Sequence, residues 1–167
     1  MSNKTNIVLI GMPGAGKSTI GVLLAKRLAL DFIDTDLLIQ LKYGDALQSI
    51  VNSEGYMKLR KIEEDVICEL KCNKSVIATG GSAAYSEKAM RYLQQNSTII
   101  FLHVQFEEIK KRVTDFDSRG IAMRKDQTFK DLFNERYPLY CKYADITIDC
   151  QDKNQDSVTR EICNQIK

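Results

Sequence analysis

At 167 residues the chain has the length of one domain, with room for a sizeable buried core. Its 44% hydrophobic and 28% charged residues suit a globular protein, and a net charge of +2 offers no electrostatic footprint for nucleic acid or an anionic membrane. Five scattered cysteines, with only Cys68 and Cys72 one helical turn apart, and a single histidine argue against a disulfide framework or a zinc centre. The opening residues carry no signal-peptide pattern and no run approaches the ~18 apolar residues of a membrane span, so a cytoplasmic location with reduced thiols is expected.

In chain order, the first strand is expected at Ile7–Ile10, a β-branched and leucine-rich run suited to burial on both faces. It leads into GMPGAGKS, Gly11 to Ser18, which fits the Walker A pattern G-x-x-x-x-G-K-[ST]. In such a loop, glycines let backbone N–H groups cradle phosphate oxygens at the start of the next helix. That helix is predicted from Ile20, Leu23, Leu24 and Leu28 at helical spacing. Strand, loop and helix therefore stand in the order that a nucleoside triphosphate site needs. Lys17 would reach the β- and γ-phosphates, and Ser18 would offer its hydroxyl to Mg²⁺.

A second strand, Phe32–Asp34, precedes Asp36. The two carboxylates share a side if the strand continues, one suited to Mg²⁺ through water and the other to an acceptor hydroxyl. A turn or helix-capping pair is the alternative. Residues Leu37 to Lys71 are predicted helical with breaks near Gly44 and Gly55, and Leu59, Ile62, Val66 and Leu70 share one face beside Arg60. The third strand, Val76–Thr79, ends in TGGS with exposed backbone donors, and Ser86 can cap the helix after it. The fourth strand spans Thr98–Val104, where His103 is expected as a satisfied strand-end residue rather than a base. Thr114–Gln127, polar and carrying Arg119 and Arg124, is expected to be a mobile lid, with surface decoration the alternative. Thr128 can cap a helix holding Arg136, which Pro138 should kink or end locally. A last strand, Ile146–Asp149, and a helix from about Asp156 with Val158, Ile162 and Ile166 on one side complete the chain. Strands alternating with helices imply an α/β fold with a mostly parallel sheet.

Taken in order and spacing, GMPGAGKST, FIDTD, LRKIEED, TGGS, the lid arginine and ERYPLY resemble the shikimate kinase family over nearly the whole chain. The resemblance implies a three-layer αβα P-loop kinase fold with a five-stranded parallel central sheet. It implies one domain over 1–167, with a helical substrate-binding insertion at about 35–62 and a lid at about 113–127. The implied activity is transfer of the γ-phosphoryl group of ATP to the 3-hydroxyl of shikimate, a step toward chorismate and the aromatic amino acids. Gly14, Ala15, Gly16, Lys17, Ser18 and Thr19 would hold the phosphates of ATP, Arg112 would stack on adenine, and Arg119 would close over the transferring group. Ser18 and Asp34 would serve Mg²⁺. Asp36 would bind shikimate hydroxyls and take the 3-hydroxyl proton, with Arg60, Arg136, Gly80 and Gly81 completing the shikimate site. Lys17, Asp36 and Arg119 are thus the implied catalytic residues. ATP and shikimate are the implied small-molecule partners, with neither nucleic acid nor membrane, and the chain is implied to be a monomer or weak dimer.

The chain departs from the family at two places. Ser82 replaces the third glycine of a usual GGG, tolerable only where no positive φ is needed, and its hydroxyl could add a contact. Gly120 and Ile121 replace a usual Pro-Leu after the lid arginine, which should loosen the lid. Rival readings are a gluconate or nucleoside monophosphate kinase, or a non-catalytic nucleotide-binding module. The first would be expected to alter FIDTD and LRKIEED, the second to lose Lys17, Asp36 or the lid arginine.

Overall fold

The structure, a computed structural model, describes residues 4–115 and 119–166. Positions 116–118 of the expected lid, and both termini of the expected 1–167 domain, lie outside the described residues. In chain order the elements are β1 (Asn6–Ile10), α1 (Lys17–Leu28), β2 (Asp31–Asp34), α2 (Thr35–Tyr43), α3 (Leu47–Glu54), α4 (Tyr56–Glu69) and β3 (Ser75–Ala78). A 3₁₀ turn (Ala83–Tyr85) follows, then α5 (Glu87–Gln94), β4 (Ser97–His103), α6 (Phe106–Arg112), α7 (Phe129–Tyr143), β5 (Ile146–Asp149) and α8 (Gln155–Gln165).

The five strands form one parallel sheet in the order β2-β3-β1-β4-β5. β1 at its centre is buried at all five positions, as its apolar run Ile7–Ile10 requires, and buried Asn6 bonds to Cys72 O and Ser75 N. Leu9 stands beside Ala78 of β3 and Ile100 of β4, so the loops leaving β1 and β3 emerge together at the carboxyl edge of the sheet. In open α/β sheets, ligands bind in the crevice outside the carboxyl ends of the strands. Here that crevice opens between the loop after β1 and the loop after β3.

Two apolar clusters hold the molecule. The larger packs both faces of the sheet, with Leu9, Ile10, Leu24, Ile77, Met90, Ile99 and Ile100 among its buried members. A smaller one, formed by Ile39, Ile50, Leu59, Ile62 and Val66, ties α2, α3 and α4 together. Ala122, from the segment before α7, is buried in this second cluster. The helical stretch predicted with breaks near Gly44 and Gly55 is thus three helices with a core of their own.

Most predicted boundaries fall within a residue or two of those observed. Ser86 caps α5 by accepting from Ala89 N, and Thr128 and Asp131 form a reciprocal capping box on α7. The condition for Asp34 and Asp36 to share a side, a strand that continues past Asp34, is not met: β2 stops at Asp34, which caps α2 by accepting from the N–H groups of Asp36 and Leu37. The capping alternative holds, because two free helical N–H donors outcompete further extension. Pro138 does not end its helix either. α7 runs through it to Tyr143, anchored on either side by buried Arg136 and by Tyr140, whose hydroxyl donates to Gly81 O at 2.6 Å. No helix among the described residues is long and apolar enough to cross a membrane.

Candidate active site

The phosphate loop is built by its glycines. Gly16 caps α1 at φ 94°, and a Cβ on Gly14, at φ +83°, would lie 2.6 Å from Val113 Cγ2. Behind the loop Lys17 is buried and donates to the carbonyls of Gly11 (2.8 Å) and Met12 (2.9 Å). Burial lowers its pKa to about 8, against the attraction of Asp36 and Glu63. At the start of α1, Ser18 donates to Asp34 Oδ2 at 2.6 Å. A hydroxyl and a carboxylate beside a phosphate loop are hard oxygen donors that suit Mg²⁺, which keeps water and phosphate ligands for the rest of its shell. No group of three His, Cys, Asp or Glu side chains gathers to cage a metal among the described residues.

A cavity of about 290 Å³ joins this loop to the acceptor side. Gly14, Gly16, Lys17, Ser18, Thr19, Asp36, Gly80, Gly81, Arg119 and Arg136 all line it, so the structure brings together most of the predicted site residues. Arg119 is exposed at its rim. Ala15 is packed into the core beneath the loop. Arg112 faces a neighbouring cavity with Gly14, Gly16, Lys153 and Asn154, on the other side of the phosphate loop from Asp36, and is paired with Glu108 at 3.1 Å. Arg60 does not reach the main cavity. It lies behind it, with its guanidinium 3.5 Å from the centre of the Tyr85 ring. Its Nη2 and that of Arg136 both point at Ala122 O, at 3.4 and 2.9 Å. The backbone of the segment before α7 thus sits on the pair of arginines expected to grip a carboxylate.

Gly80 and Gly81 allow charged groups to approach the backbone. A Cβ on Gly80 would collide with Glu63 Oε1 and come within 2.6 Å of Asp36 Oδ1, while one on Gly81 would lie 2.6 Å from Arg136 Nη1. Gly80 N donates to Thr35 Oγ1, at the first position of α2.

Glu63 was not among the predicted site residues, although LRKIEED contains it. It is buried at 3% exposure on α4, and one carboxylate oxygen, Oε2, accepts from the Ser82 hydroxyl. Burial and the nearby Asp36 raise its pKa to about 7; burial and Asp34 raise that of Asp36 to about 6. Apart from Gln151 Oε1, the buried side-chain polar atoms without a partner among the described residues are Arg60 Nε, Arg136 Nε and Glu63 Oε1. Two are cationic donors and one is an anionic acceptor. Unsatisfied buried groups of this kind are costly unless a ligand completes them.

Both family departures can be placed. Ser82 adopts φ −95°, so the position needs no glycine, and its hydroxyl does add a contact, to Glu63. Gly120 is left-handed at φ +61° and packed against α3, where a Cβ would collide with Leu47; its N–H donates to Gln48 Oε1 at 2.9 Å. The glycine expected to loosen the lid is therefore also what lets this part of it sit against α3.

Known proteins bear on this geometry. The shikimate kinase family model matches residues 13–167. A shikimate kinase of Haemophilus influenzae is 36% identical over 170 residues, covering 99% of this chain and 94% of that protein. One from Persephonella marina is 32% identical over 97% of this chain and 99% of its own length. Among solved structures, shikimate kinase from Acinetobacter baumannii in complex with shikimate superposes with a TM-score of 0.90 at 30% identity, over 99% of this chain and 94% of that one. Shikimate kinase from Aquifex aeolicus gives 0.83 at 34% identity, over 96% and 95%. With its parallel sheet, its phosphate loop and its full-length similarity to these enzymes, the chain belongs to the shikimate kinase family.

Proposed function

We propose that the chain transfers the γ-phosphoryl group of ATP to the 3-hydroxyl of shikimate, giving shikimate 3-phosphate and ADP. The observation that carries this reading is the cavity itself. It runs from the phosphate loop to a compartment where Arg136 Nε and Glu63 Oε1 lack partners, a donor for a carboxylate beside an acceptor for a hydroxyl. Shikimate carries one carboxylate and three hydroxyls, which match both. Gluconate offers the same groups, so the choice of shikimate is supported by the chain's full-length similarity to shikimate kinases.

In this reading the insertion at about 35–62 supplies one wall and the lid at about 113–127 the cover, within one domain. The phosphates lie on the backbone of Gly14 to Thr19, and Lys17 exchanges the carbonyls of Gly11 and Met12 for phosphate oxygens. Ser18 and Asp34 would hold Mg²⁺, which neutralises charge on the phosphates when bound. Arg136, joined by Arg60 once Ala122 O yields its place, binds the carboxylate. Asp36 accepts the proton of the 3-hydroxyl as its oxygen bonds to the γ-phosphorus; the bond from that phosphorus to the β,γ-bridging oxygen breaks and ADP leaves. Arg119 comes over the γ-phosphoryl oxygens and offsets their charge. Phosphoryl transfer needs little covalent help from the protein, so positioning and charge do most of the work.

A coupled ADP-release assay with shikimate, gluconate and nucleoside monophosphates tests the proposal. Shikimate-dependent turnover well above that with the other acceptors is expected, and its absence in folded protein would refute it. Arg119→Ala is expected to lower kcat by about 10²-fold or more with little change in the KM for shikimate, as for a cation that acts on the transferring group. An equal loss in shikimate KM would instead place Arg119 on the acceptor.

With both substrates below their KM, the rate reports the free enzyme. It should fall on acidification from about 7 to about 6, as Glu63 and Asp36 take protons, and fall again above about 8 as Lys17 loses its charge. A flat profile between pH 6 and 9 would contradict the ionisation states assigned to these three groups.

A further inference from the structure

We propose that Ser82 is a positioning residue for the acceptor, acting through Glu63. The inference rests on the shikimate reading above and adds a residue that distinguishes this chain from the usual GGG loop. Ser82 is itself 7% exposed, lies at the head of the 3₁₀ turn after β3, and has a single hydrogen-bonding partner for its side chain among the described residues, Glu63 Oε2. Glu63 comes from α4, 19 residues earlier, so this bond pins the helix of the insertion to the loop of the sheet. A glutamate has three rotatable bonds, and an isolated one in a cavity loses the entropy of each when it engages a ligand. With Oε2 held, the carboxylate can turn in only one way, and Oε1 is left facing Gly80 and Asp36 with no donor of its own. Ser82 thus presents a preorganised acceptor to a substrate hydroxyl, at the floor of the compartment where Asp36 meets the reacting one.

The groups facing Glu63 are Asp36 from α2, Lys17 from α1 and Arg136 from α7, with the Tyr140 hydroxyl turned to Gly81 O nearby. None of them donates to Oε2 among the described residues, so removing the serine hydroxyl leaves that oxygen unsatisfied as well. Glycine at the same position would permit the backbone and would lose the tether.

The test is steady-state kinetics on Ser82→Ala, with Ser82→Thr as the conservative variant. Ser82→Ala is expected to raise the KM for shikimate about tenfold, with kcat and the KM for ATP within about twofold, the size of effect that one hydrogen bond supports. Ser82→Thr, which keeps a hydroxyl, should recover most of the loss. In a Glu63→Ala background, Ser82→Ala should have no further effect on shikimate KM, since a residue acting through another is silent once that other is gone. An unchanged shikimate KM in folded Ser82→Ala, or equal losses in kcat and both KM values that persist in the Glu63→Ala background, would overturn the proposal. Wild-type protein with no shikimate turnover would overturn the reading on which it rests, an outcome seen before any variant is made.

Discussion

Asp36→Asn is expected to lower kcat by about a thousandfold while MgATP binding stays within about threefold of wild type. Asparagine keeps the size of the side chain and its place on the first turn of α2, so Asp34 still caps the helix through the backbone N–H groups of residues 36 and 37. What disappears is the carboxylate that lines the cavity beside the phosphate loop, and general base catalysis is worth about 10²–10⁴ in rate. Asp36 is well suited to the task. Burial and Asp34 hold its pKa at about 6, high enough to attract a hydroxyl proton and low enough to be ionised at neutral pH. Single-turnover measurements with fluorescent nucleotide binding as a control check both halves of the prediction. A variant with near wild-type kcat would show that the proton leaves by another route.

Arg136→Ala should raise the KM for shikimate by about 10²–10³-fold, the larger of the two arginine effects, since it strips a fully buried charge that is itself a hydrogen-bonded donor. Its guanidinium lies at 1% exposure between Ala122 O and Gly81, opposite Asp36 and Glu63. Removing it leaves those carboxylates with less compensation, so a fall in thermal stability should accompany the loss of binding. Arg136→Lys separates the two effects: it keeps a positive charge near the carboxylates and so should recover stability, but a lysine cannot present the planar fork and should recover little of the binding. Arg60→Ala should cost only about tenfold, because Arg60 is half-buried and stands behind the cavity on Tyr85. Calorimetric binding of shikimate beside melting curves for the three variants decides the matter. Equal effects at Arg60 and Arg136 would refute the unequal roles given to them.

How much of this was legible in the sequence depends on how far apart the cooperating residues lie. The phosphate loop was readable because its chemistry is written in eight consecutive residues, Gly11 to Ser18, and its flanking strand and helix follow at once. The inner strands β1, β3 and β4 were readable because strands buried on both faces demand apolar runs such as Ile7–Ile10. The spatial relation of Asp34 to Asp36 is open in the sequence, because strand alternation and helix capping make opposite claims on the same two residues, and only the free N–H groups of α2 decide between them. Glu63 was passed over for a different reason. Its importance comes from burial beneath Gly80 and from the hydroxyl of Ser82, neither of which leaves a trace in LRKIEED. Arg60 is implied by family resemblance, yet its seat on Tyr85 and Ala122 depends on residues 25 and 62 positions away in sequence, and no local pattern encodes that. Pro138 shows the same limit, since the bonds that hold α7 together across it run to Gly81 and Ala122, far away in sequence.

The cluster of Lys17, Asp36 and Glu63 has a consequence for how firmly the protein holds together at different pH. Asp36 and Glu63 bind protons more tightly in the folded chain than in the unfolded one, where their pKa values are 3.8 and 4.5. As pH rises from about 4 to about 7 the folded state therefore gives up its advantage, and their contribution to stability declines. Lys17 works in the other direction: its pKa of about 8 in the fold against 10.5 outside it makes its contribution recover only between those values. The least favourable stretch for this cluster falls at about pH 7 to 8, where all three groups carry the charges that the reaction uses. Working pH and resting stability are set against each other by the same three side chains, and an empty enzyme kept at mildly acid pH should outlast one kept where it is most active.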